Sequence, residues 1–262
     1  MLLKRYFLLT TAAAFKPQLK ETLQTAVNEC IKTSPIGDCF EGPNGAIGDW
    51  DVSAITDMAF TFSGVSAFNQ DLSKWDVSKV TDMWGMFRDA HAFNHDLSKW
   101  DVSTVANMAF MFNRASAFNQ DLSKWDVSAV TDMGSMFLEA TAFDQDLSKW
   151  DVSKVTEMAN MFLQATAFDQ DLSKWDVSSV TSMMGMFREA SAFNQDLSSW
   201  DVSAVTHMSN MFFRASAFNQ KLCGNAWVKS KADKSDMFGG SPGSILSTEK
   251  KAANRGHGRD YG

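Results

Sequence analysis

Carboxylates are the residues of this sequence best placed to do chemistry, and they recur at one phase. Asp71, Asp96, Asp121, Asp146, Asp171 and Asp196 stand 25 residues apart, and Asp51 opens a second such series. Rows of carboxylates could bind calcium, but calcium-binding repeats are Gly-rich in their turns, whereas the turns here read S-x-V-T. Calcium is the only cofactor with any basis in the sequence. Lys74, Lys99 and Lys124 form a parallel basic series that relieves the repulsion, although exposed pairs of this kind contribute little each. Four histidines, His91, His95, His207 and His257, occur at unrelated phases. His91 and His95 are four apart without a third ligand nearby, and zinc wants three or four. No Ser-His-Asp or Cys-His set stands out, and no phosphate-binding loop is present. An active site needs a unique constellation, and nearly every polar residue here is a copy. The sequence therefore reads as that of a non-enzyme with no cofactor.

The three cysteines are Cys30, Cys39 and Cys223. Cys30 and Cys39 are close enough to bridge, which would stabilise by about 2.5–3 kcal/mol on the chain-entropy model and would require an oxidising compartment. The other reading is two free thiols near a helix end. Cys223 has no obvious partner. The chain has 262 residues, 45% of them apolar, and a net charge of −7. That balance excludes a nucleic-acid partner, because phosphate binding needs clustered Lys and Arg, and it gives no support to docking on an anionic membrane. No run approaches the roughly 20 apolar residues of a membrane span. Residues 1–14, MLLKRYFLLTTAAA, resemble a short secretory signal or a targeting segment. The expectation is a secreted or cell-surface protein, with an intracellular one as the alternative.

What positions these residues is repetition. Trp50, Trp75, Trp100, Trp125, Trp150, Trp175 and Trp200 fall at one phase with six intervals of 25 residues and no insertion. Such a period marks a solenoid, in which each unit buries its apolar face on its neighbours. Residues 15–48 read as an N-terminal capping helix and loop, with Leu19, Leu23, Val27, Cys30 and Ile31 on one face. Residues 49–227 hold seven repeats; the last reads KLCGNAW in place of DLSKW and delays its tryptophan to Trp227. Residues 228–238 form a degenerate C-terminal cap. Residues 239–262 are polar, Gly-rich and aperiodic, and read as a disordered tail.

Each module divides in two. In Thr81–Phe93, Met83, Met86, Phe87 and Ala90 mark one helical face, so this half is expected to be a short helix. The half from Phe93 to Val102 partly alternates, and a short strand is expected through Asp96–Asp101. The fold class is thus an α/β repeat solenoid, with short parallel strands on one side and short helices on the other. Register should line up the tryptophans in a ladder, with parallel columns of Phe68, Phe93 and Phe118 and of Asn69, Asn94 and Asn119.

The copies differ mainly in the expected helix: Trp84-Gly85 against Ala109-Phe110 and Gly134-Ser135, and Arg88-Asp89 against Phe213-Arg214. Freely varying positions in stacked copies face solvent, and exposed aromatics mark binding patches. Phe60, Trp84, Phe110 and Phe213 are therefore the candidate partner-binding residues; the other reading of this variation is drift on a tolerant surface.

The unit V-T-x-M-x-x-M-F…A-F-N-Q-D-L-S-x-W-D-V-S, kept in phase over residues 46 to about 238, resembles the BspA-like leucine-rich repeat surface proteins. The resemblance implies a leucine-rich-repeat-type solenoid, surface or secreted placement, and a role in adhesion or protein contact; the family motif carries no catalytic residue. Two functions are expected in order: a scaffold binding an unidentified protein or glycan, and a lattice binder meeting ice, mineral or a polymer through the invariant Ser, Lys and Asp rows.

Overall fold

The computed structural model describes residues 14–246. Helix α1, Lys20–Thr33, buries Leu23, Ala26, Val27 and Cys30 against the first repeat. It is bracketed by Leu19 and Ser34, both in extended backbone, and the Ser34 N–H closes its end on the Cys30 carbonyl. A disulfide joins Cys30 to Cys39, with Cα atoms 5.4 Å apart, and ties the helix end to the loop that leads into a 3₁₀ turn at Ile47–Asp49.

From Trp50 onward the chain winds in coils that lie one on the next. Two files of phenylalanine run through the interior. In one, Phe87, Phe112 and Phe137 follow at centroid spacings of 5.6 and 5.7 Å, nearly parallel. In the other, Phe93, Phe118 and Phe143 follow at 6.0 Å. The two files touch within each coil, as at Phe112 and Phe118, 4.0 Å apart. Stacked rings add about 0.5–1.5 kcal/mol each beyond their burial. Met83, Met86, Leu97, Trp100 and their counterparts complete one continuous buried core. The tryptophans line up: Trp150, Trp175 and Trp200 are parallel at 6.5 and 6.4 Å.

The local backbone differs from the expected helix and strand. Thr81–Phe93 is a succession of turns, without α-helix. The N–H groups of Met86, Arg88 and Ala90 bond to carbonyls three residues back, while those of Met83, Gly85, Phe87 and Asp89 bond across to the next coil. Two residues per coil sit at positive φ, such as Gly85 and Asp89, or Asn160 and Gln164. The reason is spacing. An α-helix with side chains is about 10 Å across, and adjacent coils, with ring spacings near 5.6 Å, leave no room for one. A two-turn helix is also too short to repay its nucleation. The apolar spacing of three, one and three serves tight turns equally well.

The expected strand at Asp96–Asp101 is likewise absent, because D-L-S and D-V-S are turn signals. Asp96 Oδ1 accepts the Ser98 N–H at 2.8 Å and Asp101 Oδ1 the Ser103 N–H at 3.1 Å, which bends the backbone where a strand would run. Between the interior coils the parallel pairing lies in the other half, as single bridges running Asp57, Asp82, Asn107, Asp132, Glu157, Ser182, His207 and Asp233.

The stack ends in β1, Lys221–Leu222, then α2, Asn225–Lys229, and β2, Ser244–Ile245, which pairs in parallel with β1. Helix α2 occupies the altered KLCGNAW segment and buries Trp227. The expected disordered tail therefore needs correction over residues 239–246, which extend the stack; residues 247–262, and residues 1–13 of the signal expected at residues 1–14, lie outside the described residues.

Candidate functional site

Three of the four singled-out aromatics come together. Phe60 meets Trp84 edge-on at 4.0 Å, and Trp84 meets Phe110 at 5.3 Å. Together they make a row across the first three coils. Phe60 is 41% exposed, and Trp84 and Phe110 are half-buried. Phe213 lies apart from them, near the other end, with the guanidinium groups of Arg188 and Arg214 at 5.4 and 5.0 Å from its ring centre.

The backbone under this row is unusual. Phe60 and Phe110 both have positive φ, 63° and 59°. Their column continues through Gly85, Ser135, Asn160, Gly185 and Asn210, also at positive φ. A left-handed backbone costs a bulky residue about 1–2 kcal/mol and is the usual place for Gly or Asn. Two of the copies carry phenylalanine there instead. Gly85 between them leaves space: a Cβ at that position would touch the Phe60 ring at 3.4 Å and the Arg88 Cβ at 3.7 Å.

Beside the row runs an ion-pair series that a single-copy reading of the sequence passes over. Arg114 pairs with Asp89 at 3.1 Å and with Glu139 at 3.2 Å. Arg88 Nε stands 3.3 Å from the Asp89 carboxylate without hydrogen-bond alignment. In the coils beyond, Glu189 accepts from Gln164 at 2.7 Å, and this bond, ahead of the nearby Arg188, holds its carboxyl below the usual range. The signal is visible only when copies are aligned: Asp89, Arg114, Glu139, Gln164, Glu189 and Arg214 share one phase.

The repeated aspartates are engaged locally. Asp71, Asp96 and Asp171 are held below the usual carboxylate range chiefly by the backbone N–H of the serine two residues on, and Asp121 and Asp146 chiefly by that serine's hydroxyl. Among the described residues no group of three or more His, Cys, Asp or Glu is placed to hold a metal ion. His91 Nδ1 lies 2.6 Å from the Arg114 carbonyl, and His207 Nδ1 2.9 Å from Thr206 Oγ1. The asparagine column bonds across coils: Asn94 Oδ1 accepts the Asn119 N–H at 2.9 Å, and the series passes through Asp144 and Asp169. A concavity of about 840 Å³ opens beside the disulfide, lined by Glu29, Lys32, Asp38, Phe40 and Trp50 among others. No helix among the described residues is long and apolar enough to cross a membrane.

Stacked coils with a shared aromatic core define a repeat protein. A family model described as "Mycoplasma protein of unknown function, DUF285" matches residues 36–150 and again 142–244, and the chain belongs to that family. No curated protein matches it.

Proposed function

We propose that this chain is a non-catalytic, leucine-rich-repeat-like solenoid of the BspA-like kind, a scaffold that binds a protein or glycan as a secreted or cell-surface adhesion-type protein. The observation that carries the reading is the Phe60–Trp84–Phe110 row. Phenylalanine at left-handed positions is poor for stability, and strain retained at a surface points to use. Aromatic residues with two side-chain torsions supply contact area at low entropic cost, and the neighbouring Arg88, Asp89 and Arg114 supply polar contacts. The Cys30–Cys39 disulfide supports an oxidising compartment.

The test is a glycan array and a binding screen against purified surface proteins, run with the full chain and with Phe60→Ser/Trp84→Ala/Phe110→Ser. The expected result is a ligand whose affinity falls about 100-fold in the triple variant, the loss of three contact residues of ~1 kcal/mol each, with the melting temperature held within a few degrees. A ligand that binds both proteins equally would overturn the assignment of this face. Loss of binding on Asp→Asn and Lys→Ala changes in the repeated rows would favour the lattice-binding alternative.

A further inference from the structure

Phe213, the candidate aromatic that stands apart from the row, belongs to a constellation that the chain carries twice. Arg88, Asp89 and Arg114 recur four coils on as Arg188, Glu189 and Arg214. Asp89, Arg114, Glu189 and Arg214 all lie at positive φ, between 55° and 58°, so the backbone presents them alike. In the first copy the charges are met within the chain. Asp89 stands 3.3 Å from Arg88 and 3.1 Å from Arg114, and Glu139 of the next coil pairs with Arg114 at 3.2 Å. In the second copy Glu189 pairs with Arg188 at 3.3 Å and accepts from Gln164, and the next coil offers no acid. Gly240 stands in the place of Glu139: the Arg214 N–H bonds to the Gly239 carbonyl as the Arg114 N–H bonds to that of Leu138. Among the described residues the Arg214 guanidinium makes no ion pair. Phe213 replaces Asn113 and lies against both cations, 5.4 Å from Arg188 and 5.0 Å from Arg214. Its ring rests on Gly239, where an added Cβ would come within 2.9 Å of it.

We propose that Arg188, Phe213 and Arg214 form a binding site for an acidic peptide segment of a partner protein, whose carboxylate does for Arg214 what Glu139 does for Arg114. A guanidinium held against a ring by a cation–π contact keeps its N–H edge for a carboxylate, which it meets in a planar fork. Two guanidinium groups against the single acid Glu189 make this spot positive on a chain whose net charge is −7, and that steers an acidic ligand to it. The surroundings favour a peptide over a sugar. The Phe213 ring is taken up by the two cations and by Gly239, and the apolar surface nearby is aliphatic. Leu138 and Leu163, half-buried, precede Arg188 at the same position of successive coils, and Met184, four residues before Arg188, is 42% exposed. Methionine adapts to side chains of varied shape, so an aliphatic residue next to the ligand's acid packs there. The site goes beyond the Phe60–Trp84–Phe110 row and stands or falls independently of it.

Calorimetric titration of the full chain tests it, with an end-blocked peptide of alternating Glu and Leu and with the same peptide carrying Gln for Glu. The expected result is binding of the Glu peptide alone, weakened at least about tenfold by Arg214→Gln, the loss of one charge-assisted hydrogen-bonded pair. Phe213→Asn should weaken it as well, by freeing both guanidinium groups. These substitutions copy residues the stack already holds at the same positions, Gln164 and Asn113, so both variants should melt with the parent. Lys229→Gln removes the same charge from the same end of the chain and should leave binding unchanged. Equal affinity for the two peptides, none for either included, overturns the proposal, as does equal binding by Arg214→Gln and the parent. An equal loss in Lys229→Gln overturns it too, by reducing the effect to general charge attraction. Tighter binding of a uronic-acid oligosaccharide than of the Glu peptide assigns the carboxylate to a glycan and overturns the peptide reading.

Discussion

The indole Nε1–H of Trp125 donates to the backbone carbonyl of Leu97, 28 residues earlier in the preceding coil, at 3.0 Å and away from water. Trp100 does the same to Leu72, Trp150 to Leu122 and Trp175 to Leu147. Even Trp227, delayed by two residues, reaches the Leu197 carbonyl at 2.8 Å, because α2 absorbs the insertion. Tryptophan is thus required at this position for a polar reason as well as for its volume.

Trp125→Phe keeps most of the apolar contact and removes the donor. The Leu97 carbonyl still accepts the Trp100 N–H at 3.0 Å, so the lost indole bond should cost about 0.5–1.5 kcal/mol, whereas Trp125→Ala should cost about 3–5 kcal/mol. Urea unfolding of both variants checks the order. A phenylalanine variant as stable as the parent would show the indole hydrogen bond to be dispensable.

Two glycines at positive φ separate backbone strain from crowding. Gly85→Ala meets only ordinary contact with the Phe60 ring, at 3.4 Å, so its cost should be the left-handed backbone alone, about 1 kcal/mol. Gly185→Ala would add a clash with the Asn160 side-chain oxygen and should be the more destabilising of the two. Thermal melts of the pair suffice, and the reverse order would contradict the placement of Asn160.

Acid should unfold the stack by titrating its repeated turns. Asp51 is lowered to about 2, first by the Lys16 ammonium at 2.6 Å and then by Ser53. Asp71, Asp96, Asp121, Asp146 and Asp171 are lowered by their serines. A carboxylate whose folded pKa lies below its unfolded value stabilises the fold above the unfolded pKa, near 4, and loses that contribution as pH drops through the folded value. The melting temperature should therefore be level from pH 7 to about 5 and fall below about 4. Asp96→Asn keeps an acceptor for the Ser98 N–H and should shrink the fall. A melting temperature that holds or climbs down to pH 2 would refute the account.

Reducing the Cys30–Cys39 bridge should destabilise the cap by about 2–3 kcal/mol, as for a loop of this size. The loss should appear first in the amides of α1, since the disulfide joins its last turn to the loop at Cys39. Melting with and without reductant, beside Cys30→Ser/Cys39→Ser, measures it. Equal stability in both conditions would show α1 to be held by Leu23, Ala26 and Val27 alone.

The sequence by itself determined that copies lie in register and which residues are inside: identical apolar residues every 25 positions, from Trp50 to Trp200, can be buried together only by stacking. It also marked Phe60, Trp84, Phe110 and Phe213 as departures from the common unit. Only the tertiary structure decided the local backbone, because the spacing of Met83, Met86 and Phe87 suits a helix and a run of tight turns alike, and the narrow separation of neighbouring coils selects the turns. It also decided that Phe60 touches Trp84 while Phe213 stands apart. Contact between coils depends on how adjacent columns lean across the stack, and no repeat period carries that information.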